Sequence, residues 1–173
     1  MAVIGLLLAL PGCNKVYYGT WEALGVHKRD ILVDRVEDAR DSQSETREEL
    51  LAAYEELNIL IGEDGGELEK QYKRLSRKVE RSRSAVAELD DHLDAIDKVS
   101  EDLFEEWQEE LAQYSSDSLR RDQAGKLEAS RTQFASLRQR MQSARDRVDP
   151  VMAVLNDNVL YLKHSLNAQA LDA

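Results

Sequence analysis

The sequence predicts an all-α fold, a long antiparallel three-helix coiled coil running up, down and up, and three observations carry that expectation. Apolar residues recur at alternating steps of four and three along three separate stretches, the spacing that keeps one seam of a supercoiled helix facing its partners. Charged residues make up 33% of the 173-residue chain, aromatics only 6%, and there are two prolines. That balance suits long helices with narrow buried seams better than a compact globule. Segments that a helical hairpin would lay side by side also carry opposite charge.

The first helix is expected over residues 26–61, on Leu32, Val36, Ala39, Gln43, Thr46, Leu50, Ala53, Leu57 and Leu60. Gly62-Glu63-Asp64-Gly65-Gly66 then ends it, because three glycines in five residues favour a tight reversal over helix. The second helix is expected over 67–114, stepping through Leu68, Tyr72, Leu75, Val79, Ser82, Val86, Leu89, Leu93, Ile96, Ser100, Leu103 and Trp107 without a slip. Tyr114-Ser115-Ser116-Asp117 breaks the pattern with small polar residues fit to cap a new helix. The third is expected over 117–168, on Leu127, Ser130, Phe134, Leu137, Met141, Ala144, Val148, Val151, Leu155, Asn158, Leu162 and Leu166. Asp149-Pro150 interrupts it, and since the heptad phase continues across the proline, a kink is expected there and not a new direction.

The charges give an independent check. Residues 34–56 hold nine acids and three bases, and 67–83, across the glycine turn, hold three acids and seven bases. Residues 88–110 hold eleven acids and one base, and 117–147, across the serine turn, hold four acids and eight bases. Exposed ion pairs are each worth only ~0–1 kcal/mol, so this complementarity sets register and topology more than stability. Most of the folding energy falls to the apolar seam.

The N-terminal end reads differently. Cys13 is the sole cysteine and closes an apolar run, Ala2 to Gly12, in the order Leu10-Pro11-Gly12-Cys13. That order resembles a bacterial lipoprotein cleavage box, which makes residues 1–12 a signal peptide, possessing an h-region in Val3 to Leu10, and Cys13 the lipidated first residue of the mature chain. Residues 13–25 are then a lipid-anchored juxtamembrane segment and 26–173 the coiled-coil domain. The run is too short for a spanning helix, which needs ~20 apolar residues. No Lys or Arg precedes it, which a start codon assigned too late would explain, and Pro11 stands where a small non-proline residue is usual. The competing reading is an apolar segment packed on the bundle with a buried thiol. A single cysteine makes no intramolecular disulfide.

Near the anchor lie Tyr17, Tyr18, Trp21, Lys15, Lys28 and Arg29. Amphipathic rings and cations so placed fit a headgroup-level belt orienting the coil on a membrane; equally they fit a cluster capping the open end of the bundle. Near the other terminus, Val159 to Leu166 is apolar over more than one helical face, so Leu160, Tyr161, Lys163 and His164 are candidates to meet a partner or a further helix.

The net charge of −11 excludes nucleic acid as an expected partner and disfavours contact of the whole body with anionic lipid. No Walker loop, HExxH helix, EF-hand or nucleophile elbow occurs. Gly62 to Gly66 reads as a turn, lacking the Lys-Ser/Thr and strand of a phosphate cradle. His27, His92 and His164 fall at no ligand spacing, so they read as surface or core histidines. Glu105-Glu106-Trp107-Gln108-Glu109-Glu110 has the carboxylates for a divalent cation but reads better as a solvated face around Trp107. No catalytic, cofactor-binding or metal-ligating residue is assigned, and no enzyme activity is expected.

Gly25-Val26-His27-Lys28-Arg29-Asp30-Ile31-Leu32-Val33-Asp34-Arg35-Val36-Glu37-Asp38-Ala39-Arg40 and Leu160-Tyr161-Leu162-Lys163-His164-Ser165-Leu166-Asn167-Ala168, with Asp64-Gly65-Gly66, Glu106-Trp107 and Ser118-Leu119-Arg120-Arg121-Asp122, resemble the bacterial domain-of-unknown-function family 2959. The resemblance implies a Gram-negative, coiled-coil, envelope-anchored lipoprotein. It carries no functional residue over, and it implies a further helical stretch beyond the point matching Ala173, for which the broad face near Leu162 would be the seat.

The expectation is therefore a non-enzymatic structural or adaptor lipoprotein on the periplasmic face of the outer membrane, the compartment favoured by Asn14 after the cysteine. Its coil would hold Gly62 to Gly66 ~60–70 Å from the bilayer, within reach of an envelope protein or peptidoglycan; self-association stays open. The terminal Leu171-Asp172-Ala173 offers no lysine for covalent attachment to peptidoglycan. A membrane-remodelling or oligomeric scaffold is the alternative and requires a continuous basic stripe. A periplasmic enzyme or metal sensor is the least favoured, because a narrow coil offers few pockets.

Overall fold

A computed structural model describes residues 27–62 and 68–171, and among these the chain is helical with no strand. Helix α1 runs Lys28–Gly62 and α2 runs Leu68–Glu110, closing in a 3-10 turn at Leu111–Gln113. The third helix is bent and has two segments, α3 at Asp117–Arg145 and α4 at Val148–Leu171. Cys13, Tyr17, Tyr18 and Trp21, with the expected signal peptide, lie outside the described residues, as does most of the glycine turn.

The boundaries follow from local chemistry. Backbone N–H groups of Asp30 and Ile31 donate to the carbonyl of His27 at 2.9 and 3.1 Å, opening α1. Helix α2 stops at Glu110, short of the expected residue 114, because the tighter turn takes up Leu111–Gln113 and Tyr114 is extended at φ −71°, ψ 121°. Ser116, also extended, accepts a hydrogen bond at its Oγ from the Leu119 N–H at 3.5 Å, the capping role expected of this serine cluster.

The bend falls at Asp146 and Arg147. Pro150 causes it from four residues downstream: it has no N–H for the Asp146 carbonyl, and its ring crowds that group. The expected kink is therefore present, displaced from Asp149-Pro150 to the residues the proline acts upon.

Along α2 the seam is buried in its middle, at Leu75, Val79, Ser82, Val86, Leu89, Leu93, Ile96 and Ser100, and half-buried towards the ends, at Leu68, Tyr72, Leu103 and Trp107. On α1 the two heptad edges differ. Ala39, Thr46 and Ala53 are at most 2% exposed, whereas Val36 and Leu50 are half-buried and Gln43 is exposed. Ser42, one position from Gln43, is buried in its place. Small residues here let α1 and α2 approach closely enough for hydroxyls to reach the facing backbone. Thr46 Oγ1 donates to the Ala85 carbonyl at 3.1 Å, and Ser82 Oγ donates to the Glu49 carbonyl at 3.0 Å.

Other contacts between these helices join Glu56 to Arg74 at 2.9 Å and Lys28 to Glu106 at 3.0 Å. Partner numbers on α2 thus rise as those on α1 fall. The third helix behaves alike: Arg131 donates to the Phe104 carbonyl at 3.5 Å, Arg138 to Asp97 at 2.6 and 2.8 Å, Arg145 to Asp90 at 2.5 and 3.0 Å, and Arg83 to Asn156 at 2.8 Å. Segment α3 lies along α2, and α4 packs on both α2 and α1. There the main apolar cluster forms from Ala53, Leu57, Leu75, Val79 and Leu155, flanked by Leu50, Leu60, Met152, Val159 and Leu162.

Candidate interaction groove

Because α1 closes on α2 through small side chains while α3 leans on α2, the larger edge of α1 faces a gap. That gap is an open groove of about 1190 Å³. Leu89 and Leu93 of α2 line it from between the two walls, Val36, Leu50, Leu51 and Tyr54 form the α1 wall, and Leu137, Met141, Val148, Val151 and Val154 form the opposite one. Leu51, Tyr54, Val151 and Val154 are exposed. Scattered exposed apolar residues are ordinary; several converging on one concavity are not.

The charge of the groove is opposite to that of the chain. Its lining contains Arg40, Arg47, Arg145 and Arg147 and no Asp or Glu, in a chain with 34 acids against 23 bases. Arg145 is engaged by Asp90 and Asp149, and the hydrogen bond to Asp90, followed by that to Asp149, raises its pKa above an already high ordinary value. Arg40, Arg47 and Arg147 have no ion pair or hydrogen-bond partner among the described residues.

A second hollow, of about 750 Å³, lies between α2 and α3 and is lined by Asp97, Glu101, Glu105, Glu109, Phe104 and Phe134, among others. The two rings meet edge to face with centroids 5.8 Å apart, and the Arg131 guanidinium sits 6.0 Å from the Phe104 centroid. Among the described residues no group of three or more His, Cys, Asp or Glu is placed to hold a metal ion. Within the acidic stretch, Glu106 pairs with Lys28 and Trp107 is half-buried.

The family model described as "Protein of unknown function (DUF2959)" matches residues 17–173. This chain belongs to the DUF2959 family. No curated protein and no solved structure matches it. The match spans every described helix, so the groove and its arginines are part of the DUF2959 domain, while Cys13 precedes the matched region.

Within this domain, Lys28 and Arg29 stand at the start of α1. The Lys28 ammonium is turned to Glu106, and Arg29 is exposed and donates to Asp30 at 2.8 Å. That hydrogen bond holds the Asp30 carboxyl below its ordinary range. Leu160, Tyr161, Lys163 and His164 are all exposed, Tyr161 by 70%, while the intervening Leu162 packs on the apolar cluster. No described helix is long and apolar enough to cross a membrane. The groove itself escaped the heptad pattern, which treats both seam edges as one; the signal for it was the size difference between Ala39, Thr46, Ala53 and Val36, Gln43, Leu50.

Proposed function

We propose that this DUF2959 chain is a non-enzymatic adaptor of the bacterial envelope, an antiparallel up-down-up coiled coil that separates a membrane anchor from a partner-binding end. Cys13 carries the lipid anchor on the periplasmic face of the outer membrane. The Lys28 end of the bundle stands nearest the membrane, and the exposed Tyr161 face stands at the other end.

One observation supports this reading above the rest: the pairing order along all three helices. Glu56 meets Arg74 near the glycine turn and Lys28 meets Glu106 at the opposite end, while Asn156 joins Arg83 and leads on to Leu160 and Tyr161. An α2 of 43 residues separates the two ends by ~65 Å at ~1.5 Å per residue. A rod with a fixed end and an exposed apolar end suits holding two envelope components at a set distance.

Two experiments test the reading in its separate parts. Cys13→Ser should release the protein from membranes; unchanged membrane association would remove the anchor. A photoreactive residue at Tyr161 in intact cells should capture an envelope protein or peptidoglycan. Capture of lipid alone would contradict the adaptor role.

A further inference from the structure

We infer that the groove between α1 and the bent third helix binds one anionic phospholipid, its phosphate held by Arg40 and Arg147 and its acyl chains laid along the apolar walls. The inference does not depend on the adaptor reading, since it concerns a different face of the molecule and requires no anchor.

Size, charge and placement each support it. At about 1190 Å³ the groove exceeds the ~300–1,000 Å³ of sites for ordinary small molecules. Its α1 wall from Val36 to Tyr54 runs ~27 Å, enough for one lipid end to end, which is half of a bilayer ~40–45 Å thick. Acyl chains would cover Leu51, Tyr54, Val151 and Val154, the exposed apolar side chains that line the groove. An anion reaching this chain is repelled by a net charge of −11 except where unpaired guanidinium groups gather, and a guanidinium fork is well matched to phosphate oxygens.

Placement favours a lipid over a partner helix. Contacts of Thr46 with Ala85 and of Glu49 with Ser82 set the register that brings residue 41 of α1 opposite Asp90, the residue Arg145 grips. Arg40, Arg145 and Arg147 therefore stand at one level of the groove, and Arg47 is ~10 Å further along α1. Two unpaired cations at one level, Arg40 and Arg147, suit a single headgroup, whereas an acidic helix would be met by unpaired cations spread along the whole groove, and beyond that level the lining holds only Arg47. Arg145, held by Asp90 and Asp149, fixes the wall while Arg40 and Arg147 meet the ligand.

The test uses the full chain with a benzophenone amino acid in place of Tyr54, an exposed aromatic position. It is offered diheptanoyl phosphatidylglycerol or diheptanoyl phosphatidylcholine, each as soluble monomer at equal concentration, then irradiated and weighed. The expected result is one phosphatidylglycerol per chain, captured ~10-fold more efficiently than phosphatidylcholine, a ratio that one lost charge contact erases. Arg40→Glu with Arg147→Glu should bring capture down to the phosphatidylcholine level with helical circular dichroism unchanged; Arg40→Gln with Arg147→Gln gives the same comparison should charge reversal disturb folding. Equal capture of both lipids, capture indifferent to the arginines, or adducts joining the benzophenone to a second copy or to residues 1–26 would overturn the inference.

Discussion

Arg145 reaches both carboxylate oxygens of Asp90, at 2.5 and 3.0 Å, and its other arm pairs with Asp149 beyond the bend. One guanidinium thus ties α2 to both segments of the third helix, one residue before the turn at Asp146. Arg145→Ala should cost ~1–2 kcal/mol, modest because Asp90 is 45% exposed and solvent screens the pair. A double-mutant cycle with Asp90→Asn, followed by urea denaturation, checks the coupling, which should shrink as salt is raised.

Gly125 sits inside α3, and a Cβ built there meets nothing within 4 Å. Replacing it with alanine removes backbone freedom from the unfolded chain without crowding the folded one. Gly125→Ala should stabilise the protein by ~0.5–1 kcal/mol, seen as a higher denaturation midpoint with unchanged slope.

Leu155 and Tyr161 lie six residues apart on α4 and on opposite sides of the burial boundary. Leu155 is 0% exposed in the apolar cluster, and Tyr161 is 70% exposed. Leu155→Ala should cost ~2–5 kcal/mol, whereas Tyr161→Ala should change stability by less than ~0.5 kcal/mol. If thermal melts gave the two variants similar losses, the distinction between the packing face and the exposed face of α4 would not hold.

Thr46 tests the close approach of α1 and α2. Thr46→Val keeps the shape but loses the hydroxyl contact with the Ala85 carbonyl, for an expected cost of ~1 kcal/mol. Thr46→Leu should be worse, by ~1–3 kcal/mol of overpacking. The comparison by chemical denaturation distinguishes a tight, small-residue interface from an ordinary leucine seam.

The helices were legible in the sequence because a four-three apolar rhythm has no other economical explanation, and the α2 seam from Leu75 to Ser100 is buried as that rhythm requires. Ser116 was legible as a cap because its hydroxyl has a defined partner there. The position of the bend was not, since a proline's effect lands on the carbonyl four residues earlier, at Asp146. Nor was the groove: periodicity reports which residues share a stripe, not how far apart the stripes stand. Ser42 displaced Gln43 from the interface because a close helix pair accepts the smaller side chain.

Nitroxide pairs on a Cys13→Ser background, read by pulsed dipolar spectroscopy, test the proposed arrangement most directly. Antiparallel rods place Asn58 beside Lys73 and Lys73 beside Lys163, so both pairs should give short distances, while Asn58 to Lys98 should be longer by ~35–40 Å. A short Asn58 to Lys98 distance, or a long one between Lys73 and Lys163, would contradict it.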